Sequence, residues 1–460
     1  MTLVTLLRDV ETHAGRVDVL LRGDRIATTG RGLAVPPGAG LVEGAGRRLL
    51  PGLHDHHLHL LALAAARGSV ACGPPAVTDV ERLAAALRGA PGDGWVRGVG
   101  YHDEVAGPLD RVVLDRLIPD RPARIQHRSG ALWMLNSRAL AEVSDVLDDS
   151  ADVERDANGE PLGRLWRYDD RLRAALPTPP PDLGSLGADL AAYGITGVTD
   201  ATPMLDEGAL AALSRGDLPQ RVIVLGAALG AELPRGLEAG PFKLLLRDHD
   251  LPGRDELADA VAAAHAAHRP VAVHCVTLDA LVLTLDVLET VGIMPGDRIE
   301  HAAICPQPFV ADLARLGLRL VTQPDFLRTR GDTYLREVDA WELPDLYPYA
   351  RLVAGGVPVC ASSDAPFGDL DPWQALVTAR DRTTRSGAVL GEDERVPVSV
   401  ALDGYLSAPL DPGGPPRRIE AGAPADLVLL AAPLRDVLAD PAAAAVVGTW
   451  IGGKRVYASV

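Results

Sequence analysis

Short apolar runs alternate with alanine-rich amphipathic runs through the middle of this 460-residue chain. The apolar runs predict buried strands, and amphipathic runs such as 255–269 predict the helices between them. A strand–helix alternation is typical of a parallel sheet, and eight such strands favour a closed (β/α)8 TIM barrel over an open sheet. The predicted strands are 49–57, 194–201, 220–226, 242–247, 270–275, 298–302, 318–324 and 358–364.

The two ends of the chain follow a different pattern. VDVLLRG alternates and reaches Gly23-Asp24, and TWIGGKRVY places Gly452-Gly453 between two apolar runs, so both predict hairpins. We expect residues 1–50 plus 415–460 to form a small β-sandwich domain, and residues 51–414 to form the barrel. The long interval between the first two barrel strands contains strand-like runs of its own, which predicts an inserted subdomain at about 75–170.

Charge and composition narrow the class of partner. The formal net charge is −17 and no basic run offsets it, which argues against nucleic acid and anionic membranes as partners and leaves a small-molecule substrate. A homodimer remains open. Cys72, Cys275, Cys305 and Cys360 form no CxxC pair, and the N-terminus shows no signal-peptide pattern, so we expect a cytoplasmic protein.

Histidines and one aspartate lie at the ends of predicted barrel strands. His57 and His59 are two residues apart on the first strand, so their side chains point the same way. His274 ends the fifth strand, His301 the sixth, and Asp364 the eighth. Because active sites on this fold lie at the carboxyl ends of the strands, these residues predict a metal site at the barrel mouth.

Lys243 is the unusual residue of the fourth predicted strand. It lies within the apolar run FKLLL, where a charged and unpaired ammonium would cost several kcal/mol. The lysine must therefore be paired with a carboxylate, neutral or modified. Carbamylation would turn it into an anionic ligand able to bridge two metal ions.

Several motifs together resemble one superfamily. LPGLHDHHLHL is similar to the amidohydrolase signature PGxxDxHxH, and the strand-four lysine, the strand-five histidine, IEH and SDAP follow in the same order. GDRIATTG, GWVRGVGYHDE, NSRAL, NGEPLGRLW, TQPDF and GAPADLVLL resemble the YtcJ-like branch, which includes N-substituted formamide deformylase-type enzymes.

The resemblance implies a role for each matching position. It implies a hydrolase with one or two divalent metal ions, in which a metal-bound hydroxide attacks an amide, formamide or cyclic amide at its C–N bond. Zn²⁺ is the usual ion for such ligands, and nickel, manganese or iron also fit them. Asp364 would carry the proton to the leaving amine. The first ion would be held by His57, His59 and Asp364, the second by His274 and His301, with carbamylated Lys243 as the bridge.

Departures from the branch pattern affect the substrate more than the metals. The chain has HCVTLD where the branch has HxxGD, it has Ala131 where many relatives have histidine, and the segment after Lys243 is short. The candidate substrate contacts are Tyr101, His102, Trp133, His249 and Phe326.

Two alternatives stay open beside hydrolysis of an amide. The same metals could hydrolyse an ester or lactone, and a barrel without metals could serve as a scaffold, although this chain keeps every ligand. Deamination of a heterocycle is disfavoured, because such enzymes place a glutamate three residues after the strand-five histidine, where this chain has Thr277.

Overall fold

The computed structural model describes residues 3–74, 76–176 and 182–459, which form two compact units. One unit combines the chain up to Leu60 with the chain from Leu183 onward, and the other comprises Leu61–Asp182.

Parallel strands make up the centre of the first unit. They form a four-stranded sheet in the order Leu237–Ala239, Arg221–Val224, Ile195–Asp200 and Leu53–Leu58. They also form a five-stranded sheet in the order Phe242–Leu245, Val271–Cys275, Arg298–His301, Arg319–Thr322 and Val359–Ala361. Each of the eight predicted intervals contains a strand of these two sheets, and the short edge strand Leu237–Ala239 was not predicted.

The first predicted strand, 49–57, is wrong as a single element. Leu49–Pro51 pairs antiparallel with Leu427–Leu430, whereas Leu53–Leu58 pairs parallel with Ile195–Asp200. The change of partner occurs at Gly52, where a Cβ atom would lie 2.1 Å from Thr196 Oγ1. Only glycine allows the chain to pass this close to its neighbour.

Backbone hydrogen bonds connect the two parallel sheets at two places. Lys243 N donates to Leu225 O at 3.1 Å, just beyond the end of one strand of the first sheet. At the opposite edges Asp364 N donates to His57 O at 2.8 Å, and His59 N donates to Ala365 O at 2.9 Å. Closure of the two sheets into one barrel stays a prediction.

Helices follow most of the parallel strands. Leu278–Val291 begins at Thr277, whose hydroxyl accepts from Ala280 N, and it buries Leu281 and Leu288 on one face. No helix in the described ranges is long and apolar enough to cross a membrane. The other helices of this unit are Leu183–Ala192, Glu207–Arg215, Arg254–Ala266, Gln307–Leu316, Asp325–Glu337, Ala350–Ala354, Pro372–Asp381, Val398–Leu406 and Leu434–Ala439, with 3-10 turns at Leu343–Asp345, Glu392–Glu394 and Ala443–Ala445.

The two ends of the chain supply two further four-stranded sheets. Both contribute to one apolar core that contains Leu7, Ile26, Leu427 and Trp450. The first sheet has the order Arg25–Gly30, Gly15–Arg22, Val4–Thr12 and Gly40–Glu43, and the second has the order Lys454–Ala458, Val446–Ile451, Leu427–Leu430 and Leu49–Pro51. A two-stranded ribbon joins Ser407–Ala408 to Asp411–Pro416.

The second unit is built on a mixed six-stranded sheet. Its order is Val153–Arg155, Pro161–Trp166, Leu132–Leu135, Ala123–His127, Val96–Tyr101 and Val70–Ala71. Its helices are Val80–Arg88, Asp103–Ala106, Arg111–Leu117, Ser137–Glu142 and Asp169–Ala175, with a 3-10 turn at Ser144–Val146, while Leu60–Arg67 leads into the unit. The domain boundaries given by the sequence stay predictions.

Candidate metal centre

Three buried side chains at strand ends form a group with the dimensions of a metal site. Each of His57, His301 and Asp364 offers a ligand atom, and these atoms all lie within 4.8 Å of one another. His57 Nε2 is 3.5 Å from Asp364 Oδ1, and His301 Nδ1 is 3.9 Å from Asp364 Oδ2. Two imidazoles and a carboxylate are a donor set that suits a divalent transition metal.

The other two predicted histidines adjoin this group. His59 Nε2 lies 3.1 Å from Asp364 Oδ1. The ring of His274 packs edge-on against that of His301, with centroids 4.5 Å apart. The structure thus brings together all four predicted histidines and Asp364. Its tightest group combines residues that the resemblance assigns to two different ions.

Lys243 is enclosed beside the same cluster. It is 5 % exposed, and its Nζ has no hydrogen-bond partner. No carboxylate among the described residues lies within 4.0 Å of Nζ, so the ion pair considered from the sequence is not formed. Burial lowers the pKa of Lys243, while the charges of Glu300 and Asp364 oppose that shift.

Asp364 Oδ1 fits a bound cation, and Lys243 Nζ fits a modification that turns the amine into an anionic group. Asp364 Oδ1 makes no well-directed hydrogen bond, although His59 Nε2 is close to it. A buried carboxylate oxygen and a buried amine without partners are both costly, and the cost is removed where a ligand or a modification engages them. The residues present therefore fit the metal centre that the sequence predicts.

The backbone is strained where two of these strands end. His301 and Ala302 have φ values of 72° and 43°, and Asp364 has a φ of 50°. Left-handed backbone costs a residue other than glycine about 1–3 kcal/mol, and such residues concentrate at functional sites. The strain points the side chains of His301 and Asp364 in directions that a regular strand would not provide.

Glu300 is a residue of the site that sequence reasoning missed. It is completely buried, accepts from His57 Nδ1 at 2.5 Å and from Arg298 Nε at 2.6 Å. Burial opposes its ionisation, but Arg298 and His57 hold the pKa of Glu300 well below its ordinary value. The available signal was the spacing of Arg298 and Glu300, which places both side chains on one face of the strand.

Two further ring nitrogens have hydrogen-bond partners. His59 Nδ1 lies 3.1 Å from Thr202 Oγ1, and His301 Nδ1 lies 2.7 Å from Gln323 Oε1. Burial lowers the pKa of His57 to about 4 and that of His301 to about 3. Neutral imidazoles are the form that binds metals.

Two of the predicted substrate contacts lie in the unit that holds the cluster. Phe326 is 3 % exposed and packs edge-on against Tyr347, with ring centroids 5.8 Å apart. His249 is exposed in the short segment that follows Phe242–Leu245.

The other three lie in the second unit. Tyr101 is fully buried and donates its hydroxyl to Gly107 O. His102 caps Asp103–Ala106 and accepts from Glu104 N. Trp133 donates its indole N–H to Asp169 Oδ1 at 2.9 Å. Substrate contact by all five residues stays a prediction.

Comparison with known proteins identifies relatives of this chain. The chain is 27% identical to the N-substituted formamide deformylase of Arthrobacter pascens, over 90% of this chain and 89% of that protein. It is 24% identical to the putative amidohydrolase YtcJ of Bacillus subtilis (strain 168), over 78% of this chain and 79% of that protein. These likenesses confirm the predicted resemblance to the YtcJ-like branch.

A solved structure shows the same fold. It is an uncharacterized metal-dependent hydrolase from Pyrococcus horikoshii OT3, similar with a TM-score of 0.73 and 22% identity over 93% of this chain and 97% of that one. A sequence model of the amidohydrolase family matches residues 41–457, which is nearly the whole chain. The chain therefore belongs to the amidohydrolase family of hydrolases.

Proposed function

We propose that this protein is a metal-dependent hydrolase that cleaves the C–N bond of an amide, formamide or cyclic amide. The observation that carries the proposal is the buried group of His57, His301 and Asp364. The likeness to an N-substituted formamide deformylase supports the choice of bond.

Six residues are assigned to the metal centre under this proposal. His57, His59 and Asp364 would hold one ion, His274 and His301 would hold a second, and Lys243, as a carbamate, would be a ligand shared by both. Zinc suits this mixture of imidazole and carboxylate donors. A divalent ion held there supplies Lewis-acid polarisation of the carbonyl and lowers the pKa of water. The unpartnered Nζ of Lys243 supports modification, because carbamylation begins from a neutral amine.

Protein groups around the cluster fix the protonation states of His57 and Asp364. Glu300 accepts the Nδ1 proton of His57, which leaves the Nε2 lone pair directed toward Asp364. Burial opposes ionisation of Asp364, but His57 and His59 hold its pKa below the ordinary value, so it is a carboxylate at neutral pH. Its Oδ1 is available to take a proton from the attacking water and pass it to the leaving amine.

The proposal extends to the fold that holds this site. The two parallel sheets form one closed (β/α)8 barrel, supported by the bonds from Lys243 N to Leu225 O and from Asp364 N to His57 O. Residues 1–50 plus 415–460 form the small β-sandwich, and about 75–170 is an inserted subdomain. The partner is a small-molecule substrate, because the net charge of −17 repels nucleic acid and anionic membranes.

The test combines metal analysis with a substrate screen. Purified zinc-grown protein is analysed for metal and assayed for amine release from N-formyl and N-acyl amines, with matched esters and lactones in parallel. We expect one to two equivalents of metal and turnover of amides. Metal below about 0.1 equivalent per chain would overturn the metal assignment and favour a scaffold. Turnover of esters or lactones alone would overturn the choice of bond.

A matched pair of histidine variants locates the chemistry. His301→Ala removes a ligand and is expected to lower turnover by about three orders of magnitude or more in a protein that remains folded. His13→Ala changes an exposed histidine outside the cluster and should retain full activity. Retention of more than about a tenth of the wild-type rate by His301→Ala would show that the site lies elsewhere.

A further inference from the structure

A partly exposed arginine lies beside the turn that carries Asp364. Arg330 belongs to Asp325–Glu337, and its Nη2 donates to Phe367 O at 2.7 Å. The turn is closed by Phe367 N, which donates to Asp364 O at 2.8 Å. The ring of Phe367 stands edge-on to His59, with centroids 5.4 Å apart. Contacts therefore lead directly from the proposed metal ligands to Arg330.

The guanidinium of Arg330 is not neutralised by the protein. A guanidinium has five N–H donors, and within residues 3–74, 76–176 and 182–459 the one hydrogen bond found for it is that to Phe367. No carboxylate of the described chain lies within 4.0 Å of it, and none of its nitrogens is both fully buried and unpartnered. Its remaining donors are accordingly open to a ligand.

A neighbour on the same helix shows what neutralisation looks like. Arg328 makes a bidentate pair with Asp325 at 2.7 and 2.9 Å and a further bond to Asp369 at 2.7 Å. The charge of Arg328 is thus neutralised by two carboxylates of the protein. Arg330, two residues later, has no such carboxylate.

An aromatic ring covers one face of this cation. The guanidinium carbon of Arg330 lies 4.1 Å from the ring centre of Phe326, which packs against Tyr347. Phe326 and Tyr347 belong to a buried apolar cluster against which Phe367 also packs. Phe326 and Tyr347 are 3 % and 4 % exposed, so they support the guanidinium from behind. The partly exposed ring of Phe367 is the one that can contact the carbon skeleton of a ligand whose anionic end meets the guanidinium.

We propose that Arg330 binds a carboxylate of the substrate, so that the substrates are amides that carry a carboxylate group. The inference rests on the proposed function and narrows its substrate class. A guanidinium and a carboxylate form two parallel charge-assisted hydrogen bonds, which gives both affinity and a fixed orientation. The apolar part of the substrate lies against Phe367, whose ring adjoins His59, and this brings its amide toward the metal cluster.

Binding to metal-free protein tests the proposal without turnover. N-formylphenylalanine and N-formyl-2-phenylethylamine differ in the carboxylate alone. In a second pair, the succinic acid monoamide and the butyramide of phenylethylamine, a carboxylate replaces a methyl group on the acyl side. By calorimetry we expect the wild type to bind the acid of at least one pair about tenfold or more tightly than its neutral partner. Arg330→Gln should abolish the preference, whereas Arg385→Gln, an exposed arginine on the same unit, should keep it.

Kinetics of the metal-loaded protein distinguish recognition from structural support. Arg330→Gln should lower kcat/KM for the acid about 10- to 100-fold and leave that of the neutral amide within about threefold, with Arg330→Lys intermediate. Equal losses for both members, or a wild type that prefers the neutral amide, would overturn the proposal. Failure of the proposed function has a separate signature: no amide is turned over by the metal-loaded wild type, while the binding preference persists.

Discussion

At the scale of single residues, the buried charges of the site are organised around Glu300. It accepts from His57 with one oxygen and from Arg298 with the other, and all three side chains are at most 1 % exposed. A buried carboxylate is tolerated where its lone pairs are satisfied, and loss of one partner leaves the other uncompensated. Glu300 therefore both orients a metal ligand and neutralises an enclosed arginine.

Substitution of Glu300 by glutamine tests both roles, each by its own measurement. Glu300→Gln should weaken metal binding by about 10- to 100-fold, because the orientation of His57 is no longer held by a carboxylate. It should also lower the free energy of unfolding of metal-free protein by about 3–5 kcal/mol, because Arg298 becomes an unpaired buried charge. Chelator competition and denaturant titration measure the two effects. Glu289→Gln, which removes an exposed partner of Arg315, is the control and should change neither. Unchanged metal affinity in Glu300→Gln would contradict the assigned orienting role.

Lys243 permits a chemical test of its modification. Lys243→Ala should lose at least about two orders of magnitude in kcat/KM, and short carboxylic acids such as acetate or propionate should restore part of it, since they replace the bridging carboxylate. Lys243→Arg keeps a cation at the position and should not be rescued. If acids restore nothing to the alanine variant while its metal content remains normal, the bridging carbamate is wrong.

The positions of the five imidazole and carboxylate candidates near strand ends could be predicted because they depend on chain pattern alone, and their role as metal ligands stays a prediction. His57, His274, His301 and Asp364 each stand at the end of an apolar run, and such ends meet in parallel sheets. Their hydrogen-bond partners could not be predicted in the same way. The spacing within one strand does not reveal which polar group faces it from the next strand. Glu300 and Gln323 can therefore be recognised as partners of the histidines only once the strands are in register.

At the scale of elements, the strand that leads to Asp364 depends on a close approach by a helix. Val398–Leu406 contains Gly404, where a Cβ would lie 2.9 Å from Cys360 Cβ and 3.0 Å from Cys360 Cα. Cys360 is the middle residue of Val359–Ala361. The helix therefore approaches the backbone of the strand, which continues through Ser362-Ser363 to Asp364.

Gly404→Ala should disturb both stability and the metal site. The added methyl group overpacks the contact and should cost about 1–3 kcal/mol of unfolding free energy. Because the displaced strand precedes Asp364, metal affinity should fall as well. Gly253→Ala is the matched control, since it has no atom within 4 Å of the new Cβ and should remain within about 1 kcal/mol of the wild type. A wild-type metal affinity in Gly404→Ala would show that the strand end is held independently of this helix.

The elements themselves were predicted from periodicity, and the errors have a common cause. The predicted strand 49–57 contains Pro51-Gly52, which is a local break signal, but the pattern does not show which partner the strand pairs with on either side of it. Leu237–Ala239 is too short and too exposed to stand out as a strand. Burial is encoded in the pattern, whereas pairing depends on neighbours that are distant in sequence.

At the scale of the whole molecule, metal binding should stabilise one compact unit selectively. Every proposed ligand lies in the unit formed by the chain up to Leu60 and from Leu183 onward, and none lies in Leu61–Asp182. A ligand that binds the folded state adds about 1.4 kcal/mol of stability for each tenfold rise in its free concentration above Kd. Without the ion, the cluster keeps the unpartnered Lys243 Nζ and Asp364 Oδ1 in its interior.

Hydrogen exchange with and without zinc measures that selectivity. We expect added zinc to slow exchange of amides in Leu53–Leu58, Arg298–His301 and Val359–Ala361, and to leave the core strands Val96–Tyr101 and Ala123–His127 of the other unit unchanged. His301→Ala should lose the protection, and His13→Ala should retain it. Equal protection of both units would mean that the chain opens as a single cooperative body, and no protection in either would mean that the cluster does not bind zinc.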